Sequence, residues 1–227
     1  NLVARDVENG CEMLVEKMVS AGKNADIMGN AITVLGCMPD SWVEEFYGGA
    51  DNANVHGNVE LTITSGKFRK VFGGNNHGGI INGHLKVNIE ETGCRAIEID
   101  ELYLGGNQAA YSAYGYYVTN EETAATDGKF TFAARESATD EHKAVKSFKG
   151  VTDLEVWDSY TSCDQQPELN VISCTRIGKV FGGGLGAPAM IYGDPTVNIN
   201  MIQGEYASRI DVTDENPHQL GAIGDIY

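Results

Sequence analysis

Two short phrases recur in fixed order along this chain, and that recurrence constrains the fold more than any other feature. The first phrase sets a ring or a leucine ahead of glycine: Phe46-Tyr47-Gly48-Gly49, Val71-Phe72-Gly73-Gly74, Tyr103-Leu104-Gly105-Gly106, Val180-Phe181-Gly182-Gly183 and the terminal Ile226-Tyr227. In four of these an apolar residue stands three positions ahead of the phrase: Val43, Phe68, Ile177 and Ile223. The third copy departs, with Leu102 adjacent instead. Three copies run on into Asn75, Asn107 or Gly184, residue types that tolerate positive φ.

The second phrase is a glycine corner followed by strict alternation. It reads Gly57-Asn58-Val59-Glu60-Leu61-Thr62-Ile63, then Gly83-His84-Leu85-Lys86-Val87-Asn88-Ile89, then Gly193-Asp194-Pro195-Thr196-Val197-Asn198-Ile199-Asn200-Met201. Met28 to Val34 reads the same way, and Tyr114 to Val118 keeps only a remnant. Period two over five to seven residues predicts strands with one buried face, carrying Leu61, Ile63, Leu85, Val87, Ile89, Val197, Ile199 and Met201. Thr62, Thr64, Asn88, Asn198 and Asn200 are expected on the outer face, in ladders of short polar side chains. Intervals between copies run from 25 residues (Tyr47 to Phe72) to 77 (Leu104 to Phe181). A propeller blade or leucine-rich repeat would hold its length nearly constant. Loop insertions on a coil of strands cost only about 0.6 kcal/mol per doubling of loop length.

The expected fold is therefore all-β: a parallel β-solenoid (right-handed β-helix) with Val, Ile and Leu in interior ladders. Phe72 and Phe181 should stack in one column with Tyr47 and Tyr227. A flat antiparallel sandwich is the competitor, but Asn-Gly, its favoured hairpin dipeptide, occurs only at Asn9-Gly10 and Asn82-Gly83. Glycine, at 28 of 227 residues, is well above ordinary usage, while the 5 prolines exclude collagen. Residues 1–26 read as an N-terminal capping segment, in which Leu14, Val15, Met18 and Val19 fit a short helix or a strand. Residues 27–227 carry the repeats, with an insert at 119–168. Within the insert, 137–146 reads as a capped short helix, and Thr152 to Trp157 returns to strand. The chain reads as a segment of a longer protein.

The phrases Val71-Phe72-Gly73-Gly74-Asn75 and Val180-Phe181-Gly182-Gly183-Gly184, each followed by a Val-Asn-Ile-like strand, resemble the V-Y-G-G-G-N … G-N-x-x-V-N-I repeats of large exported surface proteins of gut anaerobes. The resemblance spans roughly residues 27–118 and 169–227. It implies a right-handed parallel β-helix, an adhesin or stalk role, and an extracellular or cell-surface location. Host glycans, host proteins or other chains of the same surface assembly would be the partners. It carries over no catalytic residue, because the shared motif consists of glycines and core apolar residues.

Charge and motif spacing narrow the function further. The chain has 32 acidic and 16 basic residues, a formal charge of −16, so phosphate backbones and anionic lipid are poor partners. No apolar run reaches the length of a membrane span. Cys11, Cys37, Cys94, Cys163 and Cys174 form no C-x-x-C pair and read as small core residues. Neither Gly73-Gly74-Asn75-Asn76-His77 nor Gly182-Gly183-Gly184-Leu185-Gly186 has the aspartate of a calcium-binding G-G-x-G-x-D turn. His56, His77, His84, His142 and His218 show no paired metal spacing, and no metal or cofactor is expected.

The alternative function is a carbohydrate-active β-helix enzyme, a lyase or a glycoside hydrolase. It would use acidic clusters such as Glu98, Asp100 and Glu101, or Asp211, Asp214 and Glu215. Nothing in the sequence sets Arg95 or Arg209 opposite either cluster. The candidate ligand-binding residues are instead Tyr111, Tyr114, Tyr116 and Tyr117, since tyrosines beside Asn and Thr suit stacking on sugars.

Overall fold

A computed structural model describes residues 14–36, 42–92, 96–118, 132–139, 166–199 and 221–227. Among them there is no helix; the chain alternates between two parallel sheets. The first sheet contains β1 (Leu14–Val19), β3 (Trp42–Tyr47), β5 (Gly66–Phe72), β7 (Ile97–Tyr103), β12 (Arg176–Phe181) and β15 (Ala222–Ile226), neighbours in that order. The second runs from β2 (Ala31–Leu35) through β4 (Val59–Ile63), β6 (Leu85–Glu90) and β11 (Glu168–Ser173) to β14 (Thr196–Ile199). A short parallel pair, β8 (Tyr111–Ser112) with β13 (Ile191–Tyr192), lies outside these sheets. The only antiparallel pairing among the described residues joins β9 (Tyr116–Val118) to β10 (Phe132–Ala134).

Register follows the side-chain pattern. In the second sheet Leu61 pairs with Val87 and Val87 with Leu169, while Ile63 pairs with Ile89 and Ile89 with Val171. All six are fully buried, each contributing roughly 1.5–3 kcal/mol through removal of apolar surface from water. Val197 and Ile199 continue the rows and pack against the same core. The outer row forms a hydrogen-bonded ladder: Asn198 Nδ2 donates to Asn170 Oδ1 (2.8 Å), Asn170 Nδ2 to Asn88 Oδ1 (3.0 Å), and Asn88 Nδ2 to Thr62 Oγ1 (3.4 Å). Thr64 instead donates to the Leu35 carbonyl (2.7 Å). Asn200 and Met201 lie outside the described residues.

The first sheet breaks period two. Its inward positions are Val43 and Phe46, Phe68 and Val71, Ile99 and Leu102, Ile177 and Val180, all fully buried in one core with the second sheet. Two outward residues separate the members of each pair, as with Arg69 and Lys70. Rings follow immediately and build a column of their own: Tyr47 to Phe72 4.8 Å, Phe72 to Tyr103 4.9 Å, Tyr103 to Phe181 4.5 Å, Phe181 to Tyr227 4.9 Å. Interplanar angles of 5° to 10° make every contact a stack.

One sequence expectation changes here, and one open alternative is decided. The third copy is regular in its strand, because Ile99, Leu102 and Tyr103 align with Phe68, Val71 and Phe72. Alignment on the glycine pair shifts that copy by one residue, since Leu104 stands where Gly73 does; alignment on the ring restores it. At the other end, residues 14–19 form a strand, with Val15, Met18 and Val19 registered on Val43, Phe46 and Tyr47. This stretch imitates a helix because every strand of the sheet carries the i, i+3, i+4 spacing, and it lacks the ring and double glycine that mark the other copies. The part of the expected short helix at 140–146 and the strand at Thr152 to Trp157 lie outside the described residues. Cys174 is buried and free, with burial as the main cause pushing its thiol up to about 12; the other four cysteines lie outside the described residues.

Candidate functional site

Parallel in-register pairing sets equivalent side chains of successive strands about 4.8 Å apart. Like charges repeated in one column would repel, and the outward face of the first sheet avoids this by alternating sign. One column reads Lys17, Glu45, Lys70, Glu101, Lys179, Asp225. Glu101 lies 3.8 Å from both Lys70 and Lys179. In the next columns Lys67 meets Glu98 at 3.6 Å, and Arg69 meets Glu44 at 3.2 Å and Asp100 at 3.3 Å. Arg176 reaches the second oxygen of Asp100 at 3.3 Å, and Arg69 also lies over the Trp42 ring at 4.9 Å. This face is locally balanced in a chain of formal charge −16. The acids considered for catalysis, Glu98, Asp100 and Glu101, are all held in this grid. Their oxygens are engaged by cations of neighbouring strands. Asp211, Asp214 and Glu215 lie outside the described residues.

Beyond the ring column, the corners after the first three glycine pairs share a largely buried polar cluster. Asn75 accepts from the Ala50 amide (2.8 Å) and donates to the Ala53 and Gly78 carbonyls (3.2 Å each). Asn76 donates to Asp51 Oδ1 (2.6 Å) and accepts from Asn107 Nδ2 (2.9 Å). His77 Nδ1 lies 3.2 Å and Lys17 Nζ 3.7 Å from the same Asp51 oxygen. Asn75 and Asn76 are almost wholly buried, and only 8% of Asp51 is exposed. Tyr47 closes the cluster, its hydroxyl donating to Glu45 (3.0 Å); burial, followed by the Glu45 charge, holds its proton well above the ordinary range. Sequence inspection takes Asn75 and Asn107 for conformationally tolerant turn residues. Their side chains instead cross-link successive turns of chain, and the only sequence signal is that both follow a glycine pair.

The Asn76 hydrogen bond, aided by His77 and Lys17, holds the Asp51 carboxyl below its ordinary 3.8 despite the opposing effect of burial. A depressed carboxylate contributes stability above its unfolded-state value, and that contribution is lost as pH falls through the folded-state value. Asp51→Asn should therefore flatten the acid side of the stability–pH profile below about pH 4. Urea midpoints measured between pH 3 and pH 7 would check this; parallel acid limbs for both proteins would contradict it.

The tyrosines proposed for ligand stacking separate. Tyr111 and Tyr116 are each 2% exposed. The Tyr111 hydroxyl donates to the Gly83 carbonyl (3.1 Å), and the Tyr116 hydroxyl accepts from the Ser112 amide (3.0 Å). Each hydroxyl finds a backbone partner, so each ring can enter the interior, where it offers no face to a sugar. Burial correspondingly raises the Tyr116 hydroxyl above its ordinary value. Tyr114 is half-buried, with its carbonyl accepting from Arg135; Tyr117 pairs with Ala133 in the short antiparallel ladder.

Histidines serve between turns of chain. His56 Nε2 lies 3.1 Å from Asp26, and His84 Nε2 donates to the Gln166 carbonyl (2.8 Å). The corner asparagines act likewise: Asn30 accepts from the Asn58 amide and Asn58 from the His84 amide, both at 2.9 Å. Among the described residues no group of three or more His, Cys, Asp or Glu is arranged to hold a metal ion. No helix of the described residues is long and apolar enough to cross a membrane. The chain matches no protein-family model, no curated protein and no solved structure.

Proposed function

We propose that the chain is a β-solenoid segment of an exported cell-surface protein, acting as a stalk or adhesin and not as an enzyme. The observation that carries this reading is the column of five stacked rings running across the first sheet, flanked by apolar rows and by the alternating charge grid. Such a body is quasi-one-dimensional: each turn of chain supports its neighbours, and loops of any length can leave the corners without disturbing the columns. A rod with variable loops suits display and adhesion. The engagement of Glu98, Asp100 and Glu101 in ion pairs favours the non-catalytic reading over a lyase or hydrolase.

Glycans and host proteins are the partner classes that fit this reading, and the corner loops would contact them. A glycan array and a host-protein panel probed with the full chain should give binding if it is an adhesin, and silence if it is a stalk. In either case, incubation with acidic polysaccharides should release no reducing or unsaturated ends. Release that is abolished by Glu98→Gln or Asp100→Asn would replace this proposal with the enzyme.

A further inference from the structure

We propose that Lys17 and Asn76 join through a covalent side-chain amide bond, with Asp51 carrying the protons between them. This rests on the buried corner cluster alone, and so stands apart from the cell-surface reading. One carboxylate oxygen, Asp51 Oδ1, faces both nitrogens: Lys17 Nζ lies 3.7 Å from it, and Asn76 Nδ2 donates to it at 2.6 Å. His77 Nδ1 lies 3.2 Å from the same oxygen and 3.0 Å from Asn76 Nδ2. The Asn76 carbonyl oxygen accepts from Asn107 Nδ2 at 2.9 Å. Asn76 is 1% exposed, so its amide is shielded from bulk water. Lys17 reaches the cluster over the Tyr47 ring, with Nζ 5.8 Å from the ring centre. Its flexible four-carbon stem is only partly covered, which leaves Nζ free to swing from the carboxylate to the adjoining amide carbon.

Exchanging the nitrogen of an amide makes three demands, and each has a group here. The attacking amine must shed a proton to become a nucleophile, and Asp51 Oδ1 is placed to take it from Lys17 Nζ. As Nζ bonds to Asn76 Cγ, negative charge gathers on Oδ1, where the Asn107 amide already donates. The leaving nitrogen must gain a proton, and Asp51 Oδ1 already touches Nδ2. Asp51 gives its first proton to Nδ2, takes a second from the newly bonded Nζ, and returns that one to the departing group. The Cγ–Nδ2 bond breaks and ammonium leaves. One carbon–nitrogen bond replaces another, nothing is oxidised or reduced, and the carboxylate ends as it began. The first proton transfer is uphill, because the Asn76 hydrogen bond, with His77 and Lys17, holds the Asp51 carboxyl below its ordinary value. Bond formation is accordingly slow, and escape of ammonium to solvent makes it irreversible. The product ties β1 to the corner after β5, across the turn that carries β3.

Intact-mass spectrometry of the folded full chain, followed over days at neutral pH, is the test. The expected result is a growing population lighter by one ammonia, whose digest contains a branched peptide joining Lys17 to Asn76. Lys17→Arg keeps a cation beside Asp51 on a partly exposed side chain but removes the attacking amine. Asp51→Asn keeps the shape of the cluster but removes the proton carrier. Neither variant should yield the branched peptide, and nor should the parent chain held unfolded in urea, because the cluster exists only in the fold. A folded parent that keeps its full mass overturns the proposal. So does an ammonia loss that Lys17→Arg shares, since an asparagine closing on its own backbone, as at Asn82-Gly83, sheds ammonia without Lys17. An Asp51→Asn chain that forms the branched peptide as fast as the parent overturns it as well.

Discussion

Gly73→Ala is expected to destabilise the protein by about 3 kcal/mol or more, while Gly183→Ala, in the same phrase one turn from the end of the first sheet, should stay within about 0.5 kcal/mol of the parent. A Cβ on Gly73 would overlap the Leu104 carbonyl oxygen and lie 2.6 Å from Val87 Cγ2. The first contact is backbone of the neighbouring strand's corner, fixed by the Gly73 amide bonding to the Tyr103 carbonyl at 2.9 Å. The second is a side chain of the opposite sheet with no free space to enter. Relief would have to come from separating two turns of chain, which would loosen the hydrogen bonds and ring stacks that depend on their spacing. A Cβ on Gly183 would meet nothing within 4 Å. Urea unfolding with equal slopes would give both values. Equal losses at the two positions would mean that glycine serves backbone flexibility here and not close approach.

The second large effect is expected at Phe72. Its ring is 1% exposed and sandwiched between Tyr47 and Tyr103, with interplanar angles of 6° and 10°. Truncation to alanine leaves a cavity in the middle of the column and should cost about 3–5 kcal/mol. Phe72→Leu returns most of the volume but neither stack, and should recover all but about 1–2 kcal/mol. The difference between these variants isolates ring stacking from simple burial. Tyr227, stacked on one face only and largely exposed, provides the control, and its replacement by alanine should cost below about 1 kcal/mol. Thermal or urea midpoints would rank the three. A Phe72→Leu loss as large as that of Phe72→Ala would show that the column depends on geometry specific to aromatic rings.

Much of this architecture was legible in the residues. Alternation at Leu61, Ile63, Leu85, Val87 and Ile89 predicts the inner rows of the second sheet, because period two leaves one face to bury whatever the partner strand may be. The recurrence of a ring before glycine predicts the column through Tyr47, Phe72, Phe181 and Tyr227, because identical phrases in a parallel stack fall into register. Tyr103 escapes that reading, and Leu14–Val19 stays open in it between a helix and a strand. The first was misaligned by a glycine, and the second carries the apolar spacing without its punctuation.

The candidate sites were far less legible. A list of tyrosines does not reveal that Tyr111 and Tyr116 each find a backbone partner and turn inward. A list of acids does not reveal that Asp100 lies between Arg69 and Arg176, 31 and 76 residues away in the chain. Local pattern settles which residues are buried and how a strand alternates, since both follow from the geometry of one strand and its contact with water. Which turn lies on which, and so which charge faces which and which glycine has a neighbour pressed against it, depends on contacts between distant parts of the chain. Loops of unequal length hide those contacts from any reading at fixed period.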